Sequence, residues 1–362
     1  MNRFPWRIIG RNVSVQMKIV HVNLAKGFRG GERQTQLLIQ GLASEGLKEQ
    51  ILVCRSDSPL QNELRNTLGL IFQPANHIFA GHRQILSPSL VHAHDGKAAH
   101  WAFIHYLLHR IPYIITRRVP NPLKNILSTK VVYRKAAGLI AISSAIQNYL
   151  HSYVPGQKVR VIPSAWTNWI VDSDRVLALR QEYARSFVIG HVGALMDRHK
   201  GQRHLIEAAR YFYDRYPNMR FIFLGSGPDR DMLGHMAGKC NNVEFLGFQK
   251  DVGSYLAIMD LFVFPSNYEG LGSTILDAMG FEVPVIAAAV GGIPDIITHG
   301  KNGYLISPGD PQAIIQAIEH LYHNPDLRQH LASEAKSHLA VYSPAEMTKR
   351  YRELYLSVAA KQ

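Results

Sequence analysis

Glu269 and Asp277 flank the segment Gly270-Leu271-Gly272-Ser273-Thr274-Ile275-Leu276, which passes from glycine-rich loop into apolar helical periodicity. Small residues at a helix start present unpaired backbone N–H groups and the positive end of the helix dipole, which together suit a diphosphate. A carboxylate repels phosphate, so Glu269 before the loop and Asp277, about two turns into the helix, need other targets. Sugar hydroxyls, which donate hydrogen bonds to carboxylates, are suitable ones. A nucleotide diphosphate sugar carries both kinds of group. A glycine turn leading into an ordinary amphipathic helix fits the same residues, so the context has to decide.

The elements that would position this motif alternate along the chain. In the front half, Met17 to Asn23 is a buried strand followed by a helix from about Gly31. Apolar runs recur at Gln50 to Cys54, Leu90 to Ala93, Tyr113 to Thr116, Gly138 to Ile142 and Val159 to Ile162, with helical stretches such as Leu123 to Ala136 between them. The rhythm breaks after Pro163, and a second series begins at Phe187 to Val192. It continues through Arg220 to Leu224, Val243 to Leu246, Asp260 to Phe264 and Pro284 to Ala287. Alternation of this kind predicts two α/β domains, each a doubly wound parallel sheet, with ligands at the carboxyl ends of the strands. The expected divisions are a basic leader at 1–16, a front domain at 17–170, a connection at 171–186, a rear domain at 187–344 and a terminal helix at 345–362.

The 362 residues are 46% hydrophobic and 19% charged, a globular composition. No apolar run is long enough to span a bilayer, and Arg7 and Arg11 interrupt the leader where a signal peptide would need continuous apolar residues. A cytoplasmic location follows as the expectation. Cys54 and Cys240 are distant in sequence and part of no Cys/His cluster, which predicts small buried hydrophobes rather than a disulfide or zinc site. All of the +13 formal charge lies in the part through Ile170, while the remainder is slightly acidic. This asymmetry suits either a solvated basic face or an anionic partner. Asp172-Ser173-Asp174 and Asp229-Arg230-Asp231 match a metal-binding DxD pattern but follow no strand in the needed way, so no required metal is expected.

With the second sheet in place, Phe264-Pro265-Ser266-Asn267-Tyr268-Glu269-Gly270-Leu271-Gly272 through Asp277-Ala278-Met279-Gly280 closely resembles the nucleotide-sugar motif of family 4 retaining glycosyltransferases. Pro284-Val285-Ile286-Ala287, Gly291-Gly292-Ile293-Pro294-Asp295 and Gly300-Lys301-Asn302-Gly303 fall where that family's later motifs fall. The resemblance runs from about Met17 to the C-terminus. It implies a GT-B fold: two Rossmann-like domains facing across a cleft, the acceptor on the first, the donor on the second, and a C-terminal helix crossing back. The resemblance also implies that Glu269 contacts the donor sugar and Asp277 holds ribose hydroxyls, although the family usually has Glu at the second place. Gly270, Leu271, Gly272 and Ser273 complete the donor loop.

Gly193-Ala194-Leu195-Met196-Asp197-Arg198-His199-Lys200-Gly201 is similar to the family's loop in which a lysine, here Lys200, neutralises the leaving diphosphate. Many members carry Arg where this chain has Ala194, and Arg198 is the expected substitute. In the front domain, Gly30 and Gly31 of Arg29-Gly30-Gly31-Glu32-Arg33 match the family's glycine loop near the donor phosphates. His94 of Val91-His92-Ala93-His94-Asp95 matches its sugar-side histidine. Phe248 falls where the base is bound.

Thr116-Arg117-Arg118, with Lys97, Lys124 and Lys130 near in sequence, is the candidate acceptor pocket, and it resembles the same stretch in lipopolysaccharide core transferases. The expected reaction is metal-independent retaining transfer to a hydroxyl of an anionic, lipid-linked glycan, with no cofactor beyond the nucleotide sugar and with peripheral attachment to the inner face of the cytoplasmic membrane. For the leader Met1 to Gln16 two readings stay open: a membrane-associating segment, or residues outside the native chain. A nucleotide-sugar epimerase of the same architecture is the alternative enzyme. A nucleic-acid binder explains the basic half but leaves Glu269 and Asp277 idle and lacks recognisable motifs, so no nucleic-acid partner is expected.

Overall fold

The computed structural model describes residues 17–85, 87–123 and 126–360. The leader and Lys124 lie outside the described residues. The front sheet contains β1 (Ile19–Asn23), β2 (Gln50–Cys54), β3 (Leu70–Pro74), β4 (Leu90–Ala93), β5 (Tyr113–Arg117), β6 (Gly138–Ala141) and β7 (Val159–Val161), in the order β3-β2-β1-β4-β5-β6-β7. The rear sheet contains β8 (Phe187–Val192), β9 (Met219–Leu224), β10 (Val243–Gly247), β11 (Leu261–Phe264), β12 (Val285–Ala288) and β13 (Tyr304–Ile306), in the order β10-β9-β8-β11-β12-β13. Every pairing within both sheets is parallel. Burial on both faces explains why the central strands read as continuous apolar runs.

Each sheet reverses its strand order beside its first strand: β1 lies between β2 and β4, and β8 lies between β9 and β11. Ligands of open α/β sheets bind at the carboxyl side of such switch points. The segments leaving β1, β4, β8 and β11 there are those bearing Gly30, His94, Lys200 and Glu269.

β3 and β13, two partly exposed edge strands, are additional to the sequence pattern. Cys240 is half-buried rather than buried, whereas Cys54 is buried as expected. The connection is also more ordered than its polarity suggests. Asp172 Oδ1 accepts from Asp174 N and Arg175 N at 3.0 and 3.2 Å and starts the helix Ser173–Glu182.

The terminal helix Pro344–Ala359 returns to the front lobe. Its Met347, Tyr351, Leu354 and Tyr355 are buried in one cluster with Ile19, Leu38, Ile114 and Ile140. At the end of the front lobe, Gln34 Nε2 donates to Ala165 O, and Ala165 N donates to Gln34 Oε1, both at 2.7 Å. Across the cleft, Asp295 accepts from Ser144 N at 2.6 Å and Ser144 Oγ at 2.5 Å, capping the front-lobe helix Ser144–Tyr153.

The helix Gly30–Ser44 lies against the terminal helix, and a Cβ on Gly41 would overlap Thr348 Oγ1. Gly41→Ala therefore destabilises the protein by about 1–3 kcal/mol through overpacking. Adding Thr348→Ala restores most of the loss. Urea unfolding of the single and double variants measures both effects.

Candidate functional site

The rear half of the site is built on the loops leaving β8 and β11. After β8, the short helix Asp197–Lys200 is held by buried Asp197, whose N–H donates to Asp229 Oδ2 at 2.8 Å. The Asp197 carboxylate accepts from Arg203 N at 2.8 Å and pairs with the Arg203 guanidinium. Asp229 and Asp172, the first carboxylates of the two DxD matches, thus have local structural partners.

The anchored loop presents Lys200, whose Nζ donates to Glu269 Oε2 at 2.5 Å and lies 4.9 Å from the centre of the Phe264 ring. Glu269 Oε1 accepts from Gly270 N at 3.1 Å, so the backbone helps orient the carboxylate. Gly272, with φ +88°, turns the chain into the helix Ser273–Gly280. A side chain on Gly270 would overlap the Arg118 carbonyl oxygen, so glycine is needed where the two lobes approach.

The front glycine loop faces this helix start. A Cβ on Gly30 would lie 3.9 Å from Ser273 Oγ, and one on Gly31 would lie 3.7 Å from Arg118 Cδ. Two buried nitrogens of Arg118, Nε and an Nη, have no hydrogen-bond partner. The fold thus brings together Gly30, Gly31, Arg118, Lys200, Glu269, Gly270, Gly272 and Ser273, with Leu271 buried beneath them. Cations and N–H donors face one another here across a narrow gap, an arrangement suited to an anion.

Other predicted residues are placed differently. Arg198 is exposed, and its backbone carbonyl accepts from Asn267 Nδ2 at 3.4 Å. Phe248 is 67% exposed. Thr116 and Arg117 are buried and point to opposite faces of β5, as successive side chains of a strand do, so the three adjacent residues do not form one surface. Thr116 Oγ1 is engaged by His92 Nε2 at 2.7 Å and Tyr351 OH at 3.0 Å, while Arg117 donates to the Asn121 carbonyl on the other side. Asp277 accepts from Thr167 N at 2.6 Å and Thr167 Oγ1 at 3.3 Å, tying the interdomain connection to the rear helix.

His94, at the end of β4, belongs to a buried polar cluster that the motifs do not reveal. His94 Nε2 lies 3.1 Å from His21 Nδ1, and His21 Nε2 lies 3.1 Å from Gln50 Oε1. His92 Nδ1 meets Tyr355 OH and His92 Nε2 meets Thr116 Oγ1, each at 2.7 Å. The sequence signal was the presence of His21 and His92 inside apolar strands. Tyr351 and Tyr355 carried none, because only the returning helix brings them to β4.

Burial lowers the pKa of His21 to about 3, and burial together with neighbouring charges lowers those of His92 and His94. Among the described residues these three histidines are the one group of potential metal ligands, with one nitrogen from each lying within 4.8 Å of the others. Five of their six ring nitrogens already have hydrogen-bond partners, so the set is satisfied as a network of neutral rings.

Asp277 gives the site a pH dependence. Burial is the main cause that raises its pKa from 3.8 to about 6, against the lowering effect of Thr167. The native state keeps this proton after the unfolded chain has lost it. The associated stability is full below about pH 4 and is lost as pH rises through about 6, a change of about 3 kcal/mol. Asp277→Asn, whose amide oxygen still accepts from Thr167 N, should flatten this part of the stability profile. Urea unfolding at a series of pH values from 4 to 7 provides the check.

Comparison with known proteins agrees with this geometry. Residues 28–165 match the family model described as Glycosyltransferase Family 4, and residues 178–338 match that described as Glycosyl transferases group 1. The chain is 34% identical over 165 residues to the putative glycosyltransferase EpsD of Bacillus subtilis, covering 45% of this chain and 43% of that one. It is 32% identical over 206 residues to the lipopolysaccharide core biosynthesis glycosyltransferase LpsE of Rhizobium meliloti, covering 56% of this chain and 58% of that one. These matches span about half the length of each relative. The crystal structure of Anabaena Alr3699/HepE in complex with UDP and glucose superposes with a TM-score of 0.82 at 22% identity, covering 94% of this chain and all of that one. With one family model on each lobe and both sheets in the expected order, this chain belongs to the family 4 glycosyltransferases and has their GT-B fold.

Proposed function

We propose that the protein transfers a sugar, with retention at the anomeric carbon, from a nucleoside diphosphate sugar to a hydroxyl of an anionic, lipid-linked envelope glycan. The observation that carries this reading is the Lys200–Glu269 pair, held at 2.5 Å beside the start of the helix Ser273–Gly280. An ammonium has three donors, so Lys200 can keep Glu269 and also meet a diphosphate oxygen. Glu269 and His94 face the sugar, and the N–H groups around Gly272 and Ser273 receive the phosphates. Arg198 reaches the phosphates from its exposed position, Asp277 uses its remaining lone pairs for ribose hydroxyls, and Phe248 covers the base. Relatives named for lipopolysaccharide core and capsular polysaccharide synthesis favour an envelope acceptor.

In the step itself the bond from the anomeric carbon to the diphosphate oxygen breaks, and the acceptor oxygen bonds that carbon from the same face. The acceptor proton passes to the departing diphosphate. Lys200 and the helix N–H groups stabilise the charge that develops on the leaving group, where a donor is commonly worth a few kcal/mol. No protein nucleophile and no bound metal is required in this scheme.

Arg118 supports the anionic acceptor through its unpaired buried nitrogens. Among the described residues no helix is long and apolar enough to cross a membrane. Attachment to a bilayer would rest instead on the basic front half. Binding to vesicles containing an anionic phospholipid, weakening as salt rises, is the expected result. Binding that ignores the lipid charge would count against membrane attachment.

A thermal-shift panel of UDP-, GDP-, ADP- and dTDP-sugars tests the donor, because a ligand at about a hundred times its Kd stabilises by a few kcal/mol. No shift with any of them would sink the transferase reading, and isomerisation of a donor without an acceptor would indicate an epimerase. Lys200→Ala and Glu269→Ala should each lower turnover about a hundredfold or more. Because the two residues act as a unit, the double variant should lose far less than the product of the single effects.

A further inference from the structure

Gln50, at the start of β2, has only one amide orientation compatible with its surroundings. Its Nε2 donates to Ile39 O at 3.1 Å and to Leu47 O at 3.2 Å, and an amide oxygen placed there would face two carbonyl oxygens. Gln50 Oε1 is therefore the atom that meets His21 Nε2. An amide oxygen only accepts, so the His21 proton resides on Nε2. His21 is fully buried and neutral, which leaves Nδ1 with a bare lone pair. The atom 3.1 Å from that lone pair is His94 Nε2, which must donate. His94 is neutral as well, so its single ring proton is on Nε2, and its Nδ1 is bare.

That final nitrogen is buried and has no hydrogen-bond partner. It is the free end of a chain whose other end is fixed by two backbone carbonyls of the front lobe. A bare nitrogen can receive a hydroxyl hydrogen but repels a phosphate or carboxylate oxygen. We propose that Gln50 and His21 are positioning residues that fix the tautomer of His94, so that its Nδ1 serves as an obligatory acceptor for a hydroxyl of the bound sugar. The identity of the hydroxyl-bearing ligand rests on the transferase reading; the proton order along Gln50, His21 and His94 does not.

Neighbouring groups fit this order without competing for it. Both nitrogens of His92 are occupied by Tyr355 and Thr116, so His92 packs beside His94, ring centres 3.8 Å apart, without claiming the His94 Nδ1 lone pair. Arg118 is the nearby cation that acts on His94, and its guanidinium only donates. A hydroxyl bound between them would donate to His94 and accept from Arg118.

The test is a long-range ¹H–¹⁵N correlation spectrum of the full chain labelled at histidine ring nitrogens, without ligand. The His94 signals are identified by their loss in His94→Asn. A proton on Nε2 with Nδ1 bare is the expected pattern, and a proton on Nδ1 would overturn the proposal. Gln50→Met keeps the length and removes the acceptor, and His94 should then populate both tautomers. His21→Phe serves the same purpose should Gln50→Met fail to fold. A His94 that stays wholly protonated at Nε2 in the folded variants would show that neither residue sets it. UDP-glucose titrated into wild type and variants gives the functional readout, with Kd expected to rise about tenfold when the acceptor is no longer fixed. Absence of any UDP-glucose binding by wild type would bear on the transferase reading and leave the spectroscopic result standing.

Discussion

The contact between Lys200 and Glu269 is the constraint around which the rest of the site is arranged. Each residue comes from a loop leaving one of two adjacent parallel strands, β8 and β11, and at 2.5 Å they hold those loops together. Both side chains are largely withdrawn from solvent, with 22% and 16% of their surfaces exposed. The contact therefore needs anchored loops: Asp197 with Arg203 and Asp229 on one side, and Gly270 N–H on the other. A cation and an anion fixed at a helix start can separate a ligand's phosphates from its hydroxyls.

The opposing lobe has to approach this pair without filling the space over it. Gly270 lets the Arg118 carbonyl pass close, while Ser144 and Asp295 join the lobes elsewhere. The segment that leads out of the front lobe is pinned at two places, by Gln34 at Ala165 and by Asp277 at Thr167. Asp277 is thus both a candidate ligand for the donor and part of the joint between the lobes. Burial disfavours its charge, so a ligand or cation reaching it would also change its proton affinity.

The front lobe contributes a polar cluster embedded in apolar packing. Histidines in β1 and β4, Gln50 of β2, Thr116 of β5 and two tyrosines of the returning helix satisfy one another almost completely. Nearly complete satisfaction makes such a cluster directional, because each neutral ring offers one donor and one acceptor. The terminal helix is consequently part of the front lobe's chemistry as well as its core. Its Tyr351 and Tyr355 pack with Ile19 and Ile114 and reach the same group of rings.

The two-sheet architecture was legible in the chain because parallel strands covered on both faces must be apolar throughout, and because loop motifs lie at fixed distances from such strands. Glu269, Lys200 and the glycine loops could be found for that reason: their signals are local. Edge strands β3 and β13 were not legible, whereas the comparably exposed edge strands β7 and β10 were, so exposure alone does not decide the matter. The helix Ser173–Glu182 was hidden by its polarity. The separation of Arg117 from Thr116 was settled by strand alternation and by what packs on each face, neither of which their adjacency reveals. Local sequence determined which elements form and which loops carry charge and glycine. Only the tertiary structure decided the partners of Asp277, His21 and His94, because hydrogen bonds between residues such as His92 and Tyr355 depend on a helix that returns across the molecule.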